Sequence, residues 1–486
     1  MTLMLSVSGC RGIVGETLTP EVASRFAASY ASFLMEQAKG KPVSVVLGRD
    51  GRAGGHMLHA AATSGLIAAG ANVVDVGIAM TPTVAIATDG FARENPNDFV
   101  AGMVLTASHN PQQWNGLKCL LPEGGEFGAS AAAPRAVLAG EIIERFKSAG
   151  VRYVSWERLG EASDRSDADE GHVQRLFSAL EDGGFGDPET LGEGLSIGID
   201  SVNASGVRGA ALAMEAMGVA ELLHLGAEET GLFPHPPEPT EDNLNVPGGL
   251  CECVREQGLD VGFAQDPDAD RLAIIDETGR YIGEEYTLAL GALAILSAQK
   301  QAGRSTQGAV FVTNLSTSRM LDDVCATFGA RVIRTPVGEA NVVEVMKRER
   351  AMAGGEGNGG VIWPRMTYVR DSISAMALVM WLLSGRSGEK RKLSEIVGSL
   401  HSYSIRKRKV DLARREDANA AVDKIAKAFA GNHVDLSDGA WVNLEAKRSW
   451  LHVRASNTEP IMRLIAEAPT QAEADALLDE AARVIG

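Results

Sequence analysis

The sequence predicts an α/β chain of four domains, three topologically similar α/β units followed by a C-terminal α+β unit. Three observations predict it. At 486 residues the chain exceeds what one hydrophobic core usually supports. One order of elements, strand, polar loop, helix, glycine, strand, recurs three times along it. From Tyr403 onward that order gives way to a run of strands flanked by helices.

The first copy starts with SVVLGRD (44–50), an apolar run read as a buried strand. HMLHAAATSGLIAAG (56–70) follows as a helix closed by Gly70, and ANVVDVG (71–77) is the next strand. The second copy is LSIGID (195–200), a helix from Gly206 to Gly218, and AELLHLG (220–226). The third is AVFVTN (309–314), a helix from Ser316 to Gly329, and ARVIRTP (330–336). A glycine after each helix suits a left-handed cap, where a side chain is strained. Strand–helix–strand order implies a parallel pair. Copies more than one hundred residues apart imply separate domains, since solenoid repeats are much shorter.

In the last unit, YSIRKRKVDL (403–412) reads as a strand and EDANAAVDKIAKAFAG (416–431) as a helix. AWVNLEA, WLHVRAS and IMRLIAEA read as three further strands, closed by a helix from Thr470. SGRSGEKRK (384–392) has the composition of a hinge. The expected domains are therefore 1–160, 161–262, 263–385 and 400–486.

Composition is that of a globular protein, 45% apolar and 22% charged. A net charge of −17 argues against nucleic-acid binding, which needs a basic footprint. Local clusters of Arg and Lys still permit a small phosphorylated substrate. The five cysteines, Cys10, Cys119, Cys251, Cys253 and Cys325, show no zinc spacing and read as thiols of a reducing cytosol. No apolar run nears the about 20 residues a membrane span needs, and ALVMWLL (377–383) reads as a core helix. The first residues lack the basic start of a secretory leader. A cytoplasmic protein is expected.

Four loops carry the chemistry. TASHNP (106–111) follows the apolar strand FVAGMVL, and strand ends in parallel sheets open onto binding crevices. Asn110 and Pro111 favour a fixed turn that presents Ser108. A Ser-His hydrolase would need a nucleophile elbow, which is absent. DPDADR (266–271) lies between VGFAQ and LAIID. In an extended loop, alternate positions face one way, so Asp266, Asp268 and Asp270 converge. Three carboxylates repel unless a cation joins them, and oxygen-only ligands favour magnesium, calcium or manganese. An EF-hand has glycine at its sixth position, where this loop has Arg271. GGEGNGG (354–360) sets Glu356 and Asn358 among glycines, which suits either a close approach to sugar hydroxyls or a surface turn. RASNTEP (454–460) offers Arg454 for bidentate phosphate binding, with Ser456, Asn457 and Thr458 as neutral donors. Arg11 and Lys118 are further cationic candidates.

In this order, SGCRG, TASHNP with NGLK, DPDADR, GEGNGG and RASNTEP resemble the α-D-phosphohexomutase family over essentially the whole chain. The resemblance implies four domains around a central cleft. It implies an enzyme that interconverts hexose 1-phosphate and hexose 6-phosphate, with a hexose 1,6-bisphosphate as intermediate and activator. Ser108 would carry the phosphoryl group, and Asp266, Asp268 and Asp270 would hold Mg2+ together with the phosphate on Ser108. Arg11, His109, Lys118 and Arg271 would line the reacting phosphate, with Lys118 or His109 handling protons. Glu356, Asn358 and Gly338 would read the sugar. Arg454, Ser456, Asn457 and Thr458 would clamp the other phosphate. A hexose phosphate is the implied partner, with no nucleic acid or membrane, in a monomer or homodimer. Pro267 and Ala269 depart from the glycine-rich metal loops of bacterial relatives. Asn358 and Gly360 stand where several relatives have serine and histidine, an archaeal-type pattern. Glucosamine phosphate is the favoured sugar, with glucose or mannose phosphate next. A phosphoserine sugar phosphatase and a sugar-phosphate sensor are the rivals from other classes.

Overall fold

The computed structural model describes residues 3–148, 150–412, 414–455 and 461–486. Its first sheet contains the strands Asn72–Ile78, Val43–Arg49, Phe99–Leu105 and Trp114–Pro122, in that spatial order. The second sheet runs Glu221–Leu225, Ser196–Asp200, Val261–Gln265, Leu272–Asp276. The third runs Arg331–Thr335, Val310–Asn314, Ala353–Glu356, Gly360–Ile362. In each, the first three strands are parallel and the fourth pairs antiparallel with the third. This shared order has a consequence for function. TASHNP, DPDADR and GEGNGG occupy the same topological place, the turn from third to fourth strand. RASNTEP likewise begins in the last two residues of the strand Ser449–Ala455, before its antiparallel partner Ile461–Ala468 in the sequence.

The glycines expected to close helices do so. Gly70, Gly218 and Gly329 have φ of 91°, 72° and 71°, a region that strains other residues. The third-copy helix starts later than expected, at Met320. Asn314 Oδ1 accepts from Ser316 N at 2.8 Å and holds residues 314–317 in a side-chain turn instead.

Three expected boundaries move. Ala162–Asp164 adds to the first sheet, pairing in parallel with Asn72–Ile78, so that sheet passes residue 160. The limit at 262 falls inside the strand Val261–Gln265, whose hairpin carries the second sheet to Asp276. The segment 384–392 is not where the chain leaves the third unit. Leu393 and Ile396, in the helix Leu393–Gly398, are still packed in the core shared by the second and third units. The helix Ser372–Leu383 is buried along its whole length in that same core, as ALVMWLL suggested.

The C-terminal sheet has five strands, ordered Ser404–Asp411, Ile461–Ala468, Ser449–Ala455, Ala440–Leu444, His433–Asp435, the last unforeseen. Pleat alternation puts Glu467, Trp450, His452 and Trp441 on one face, which docks on residues 315–319 of the third unit. Arg319 N donates to Glu467 Oε1 at 2.9 Å, and burial pushes this carboxyl up to about 7. Its ordinary value is 4.5, so between these limits the folded state holds the extra proton and stability falls as pH rises. Above pH 7 the ionised, buried carboxylate costs on the order of 3 kcal/mol. Glu467→Gln is therefore expected to raise the urea midpoint at pH 8 and leave it nearly unchanged at pH 5, followed by Trp441 and Trp450 fluorescence. An equal shift at both pH values would contradict this origin.

Candidate active site

The Ser108 turn is built from the first sheet. Asn110 N bonds Ala107 O at 3.2 Å, and Ser108 sits at φ 51°, a left-handed conformation that only its surroundings can enforce. Those surroundings centre on Arg52, a fully buried residue that sequence reading passed over. Its guanidinium donates to Ser108 O at 2.5 Å and Trp114 O at 2.6 Å, and pairs with Asp50 at 2.8 Å. Asp50 accepts from Thr106 Oγ1 at 2.6 Å, and Thr106 Oγ1 accepts from Ser108 N at 2.8 Å. The signal available was GRDGR at a strand end, where a charge facing the sheet needs a partner.

Ser108 Oγ donates to Asp266 Oδ2 at 2.7 Å, which joins the first and second units at one atom pair. Asp266, Asp268 and Asp270 converge as expected, each with an oxygen within 4.8 Å of the others. The cause is different from the alternation invoked. Ala269 N bonds Asp266 O at 2.8 Å with Ala269 at φ 51°, so a tight turn gathers the carboxylates. All three are at most 1% exposed.

Neighbouring charges divide their roles. Burial, then Asp268 and Asp270, holds the Asp266 carboxyl well above the usual range. Burial would raise Asp268 too, but the Lys118 ammonium pairing with it pulls it far below. Asp270 is also held down against burial, chiefly by Arg370. Lys118 reaches both Asp268 and, at 3.1 Å, Asp270 Oδ2. Burial would lower its ammonium pKa, and the two carboxylates raise it instead. Thr81 Oγ1 donates to Asp268 Oδ2 at 2.7 Å. Asp268 Oδ1 and Asp270 Oδ1 are buried with no hydrogen-bond partner among the described residues. Two orphaned oxygens in an all-oxygen triad fit a hard divalent cation, so this cluster can hold a metal.

His109 Nδ1 lies 3.4 Å from Ser108 Oγ. Burial, then the charges of Arg271 and Arg11, lower its pKa to about 3, so the ring is neutral at ordinary pH. Arg11, Ser108, Lys118, Arg271, Gly338, Glu356 and Asn358 all line one cavity of about 410 Å³.

The sugar-loop candidates are organised by a second unforeseen arginine. Arg370 donates to Asp270 Oδ2 at 2.7 Å, Glu356 Oε2 at 3.1 Å and Asn358 Oδ1 at 3.3 Å, and pairs with Glu339 at 2.7 Å. Glu356 Oε1 accepts from Asn314 Nδ2 at 2.8 Å and from Gly338 N at 3.3 Å. Gly359, at φ 84°, lets its carbonyl accept from Leu272 N at 2.9 Å, and a Cβ there would meet Leu272 O at 2.6 Å. The acidic turn and the glycine loop are thus in backbone contact.

Arg454 lines a second cavity, of about 610 Å³, with Lys407, Lys409 and Arg463. Lys409, Arg463 and Arg454 are direct cross-strand neighbours, and like charges so placed repel in the absence of an anion. Ser456, Asn457 and Thr458 lie outside the described residues. The two cavities share Val337, Glu356 and Asn358, so the glycine loop stands between the Ser108 end and the cationic end.

Models of the phosphoglucomutase/phosphomannomutase α/β/α domains I, II and III match residues 3–134, 187–279 and 287–403, and the C-terminal domain of that family matches 408–484. A phosphoglucomutase/phosphomannomutase of Thermococcus kodakarensis is 33% identical, over 99% of this chain and 97% of its own. A probable phosphoglucosamine mutase of Methanopyrus kandleri is 32% identical, over 97% of this chain and 95% of its own. A phosphoglucomutase/phosphomannomutase family protein of Burkholderia thailandensis shares the fold, with a TM-score of 0.79 at 24% identity, covering 99% of this chain and 98% of that one. The chain belongs to the phosphoglucomutase/phosphomannomutase family and is a phosphohexomutase.

Proposed function

We propose that the enzyme interconverts hexosamine 1-phosphate and 6-phosphate, with glucosamine the favoured sugar, through phosphorylated Ser108 and a sugar bisphosphate. The observation that carries this is the pair of joined cavities. One holds Ser108 beside a three-carboxylate cluster, the other a cationic row, and Glu356 and Asn358 lie in both. A hydrolase has no use for a second phosphate site; a mutase must hold the phosphate that is not reacting.

Asp266, Asp268 and Asp270 would hold Mg2+, which when bound would offset negative charge on the transferring phosphoryl group. Arg11 and Arg271 line that phosphate and neutralise it further. Lys118 holds a proton next to the reacting sugar oxygen, the state its raised pKa favours. Glu356 accepts from sugar hydroxyls, and Gly338 leaves the backbone open beside them. Arg454 clamps the distal phosphate, with Ser456, Asn457 and Thr458 as further donors. Such a clamp accepts either end of the sugar, as exchange through a 1,6-bisphosphate requires. All four loops come from one chain, so a monomer or a homodimer supplies a complete site. The name of the Methanopyrus kandleri relative supports glucosamine, that of the Thermococcus kodakarensis relative glucose or mannose, and the assay must separate them.

The test is a coupled assay of glucosamine, N-acetylglucosamine, glucose and mannose phosphates in both directions, with a trace of each bisphosphate. Glucosamine phosphate should give the highest kcat/KM. Chelation should abolish turnover and Mg2+ restore it. Release of inorganic phosphate without isomerisation would favour the phosphatase instead, and turnover undiminished by chelator would remove the metal from the reading.

A further inference from the structure

The acidic turn is held from outside through its backbone. Three successive carbonyls, those of Pro267, Asp268 and Ala269, accept from three different units. Pro267 O accepts from Ser205 Oγ of the second unit at 2.7 Å. Asp268 O accepts from Thr81 N of the first at 3.0 Å. Ala269 O accepts from Ser372 Oγ of the third at 2.7 Å, and from Ser372 N at 3.4 Å. This last contact falls on the strained residue of the turn. Ala269 is left-handed at φ 51°, a conformation that crowds a Cβ against the carbonyl oxygen that follows it. Ser372 grips that same oxygen, between Asp268 and Asp270.

Ser372 is itself fixed in place. It opens the buried helix Ser372–Leu383, whose capping Asp371 accepts from Ile373 N at 3.0 Å. Its hydroxyl carries one proton, and the surrounding groups decide where that proton points. Gln265 Nε2 donates to Ser372 Oγ at 2.8 Å, so the hydroxyl gives its own proton to Ala269 O. The amide is oriented in turn. Ser201 Oγ donates to Gln265 Oε1 at 2.8 Å and lies 2.8 Å from His224 Nε2, which therefore donates to it. Gly206 leaves room for this amide, since a Cβ there would stand 2.1 Å from Gln265 Oε1. A one-way chain of donors thus runs from His224 to the acidic turn. Ser201, Gln265, Ser372 and Ala269 are each at most 2% exposed, so a missing link has no ready replacement from solvent.

We propose that Ser372 is a positioning residue for the metal centre: its hydroxyl, aimed by Gln265, holds the carbonyl of left-handed Ala269 and so sets how the carboxylates of Asp268 and Asp270 face each other. The inference rests on the reading that the three carboxylates hold a divalent cation. Ser372 acts on that cation only through the backbone of the turn. The oxygens it arranges include Asp268 Oδ1 and Asp270 Oδ1, which are buried with no hydrogen-bond partner among the described residues. A turn of the second unit thereby takes its shape from a residue of the third. Metal affinity is then a property of the docked pair of units, since the second unit alone lacks the donor that holds Ala269 O.

The experiment compares full-length wild type with Ser372→Ala, Gln265→Met and Ser374→Ala. Mn2+, which suits the same oxygen ligands, is titrated into each protein and the free ion followed by EPR. Ser372→Ala should weaken Mn2+ binding by about ten-fold, the lower end of what loss of an outer-shell partner costs. Its deficit in turnover should shrink as Mg2+ is raised, with the KM for hexose phosphate unchanged. Gln265→Met keeps the hydroxyl but removes the group that aims it, so binding should weaken in the same sense. Ser374→Ala removes a buried hydroxyl from the same helical turn, one that donates to Asp371 O at 3.2 Å, and should bind Mn2+ as wild type does. Hydrogen exchange of the peptide spanning 266–272, measured without metal, should be faster in Ser372→Ala than in wild type or Ser374→Ala. Unchanged Mn2+ affinity in Ser372→Ala, or in Gln265→Met should the first variant not fold, overturns the proposal. So does an equal loss in Ser374→Ala, or unchanged exchange at 266–272. Failure of the metal reading is distinguishable, because wild type would then bind Mn2+ no more tightly than Asp268→Asn, while exchange at 266–272 still reports whether Ser372 holds the turn.

Discussion

Ser108→Ala is expected to reduce isomerisation by about four or more orders of magnitude, the scale on which loss of a nucleophile is felt. Two hydroxyls of the surrounding network are already committed. Thr106 Oγ1 is committed to Asp50 at 2.6 Å, and Thr81 Oγ1 to Asp268 at 2.7 Å. The substitution keeps the rest of the site intact, since the turn is held through backbone atoms by Arg52. Alanine tolerates φ 51° no better than serine, so the strain is unchanged and folding should be nearly so. If Glu356 and Arg454 have the roles proposed for them, substrate affinity should persist, since both are untouched. Intact mass spectrometry should find the added phosphate on active wild type, mapped to the peptide holding Ser108, and none on the variant. Full activity in Ser108→Ala, or a phosphate mapped elsewhere, would remove Ser108 from the chemistry.

The parts of this site that the sequence announces share a physical character. Ser108, the three aspartates and Glu356 sit in short loops dense in Gly, Pro and Asn, where a turn is predictable and a polar group has few structural reasons to be present. The repeated strand–helix–glycine order is legible for a similar reason, since each Gly closes a helix in a conformation other residues resist. Arg52, Arg370, Glu339 and Thr81 are different, whatever their local setting. The meaning of each comes from partners distant in the sequence, up to 187 positions away. The acidic turn shows how a right convergence can rest on a wrong cause. Alternation suffices to predict three facing carboxylates, yet the chain achieves them with a left-handed Ala269, which no propensity favours. The strand Ala162–Asp164 left no pattern to read, because its three residues are all exposed.

Arg370→Ala should be the most destabilising single change at the site, by about 3–5 kcal/mol, the usual cost of stranding buried charge. Arg370 is 7% exposed, and its guanidinium touches Asp270, Glu339, Glu356 and Asn358 within 3.3 Å. Without it, three carboxylates lose their nearest cation, and Lys118, already paired with Asp268 and Asp270, cannot reach them all. The sign of the pH dependence separates this from a simple packing loss. In wild type, Asp270 is held below its ordinary pKa, so its contribution is present at neutral pH and fades as pH falls through the folded value. In the variant, burial is no longer opposed by Arg370, so Asp270 should join Glu339, whose carboxyl burial already raises. Groups raised in the folded state bind protons more tightly there than when unfolded, and stability then climbs as pH falls. The deficit of Arg370→Ala should therefore be large at pH 8 and smaller at pH 5, read from urea midpoints at each pH. Arg370→Lys should recover part of the stability, since it keeps the charge, but little of the activity, since one ammonium cannot bridge Asp270 in the acidic turn and Glu356 in the glycine loop at once. A deficit independent of pH would show that Arg370 acts through packing of its stem, and full activity in Arg370→Lys would show that the bridge between those two loops is dispensable.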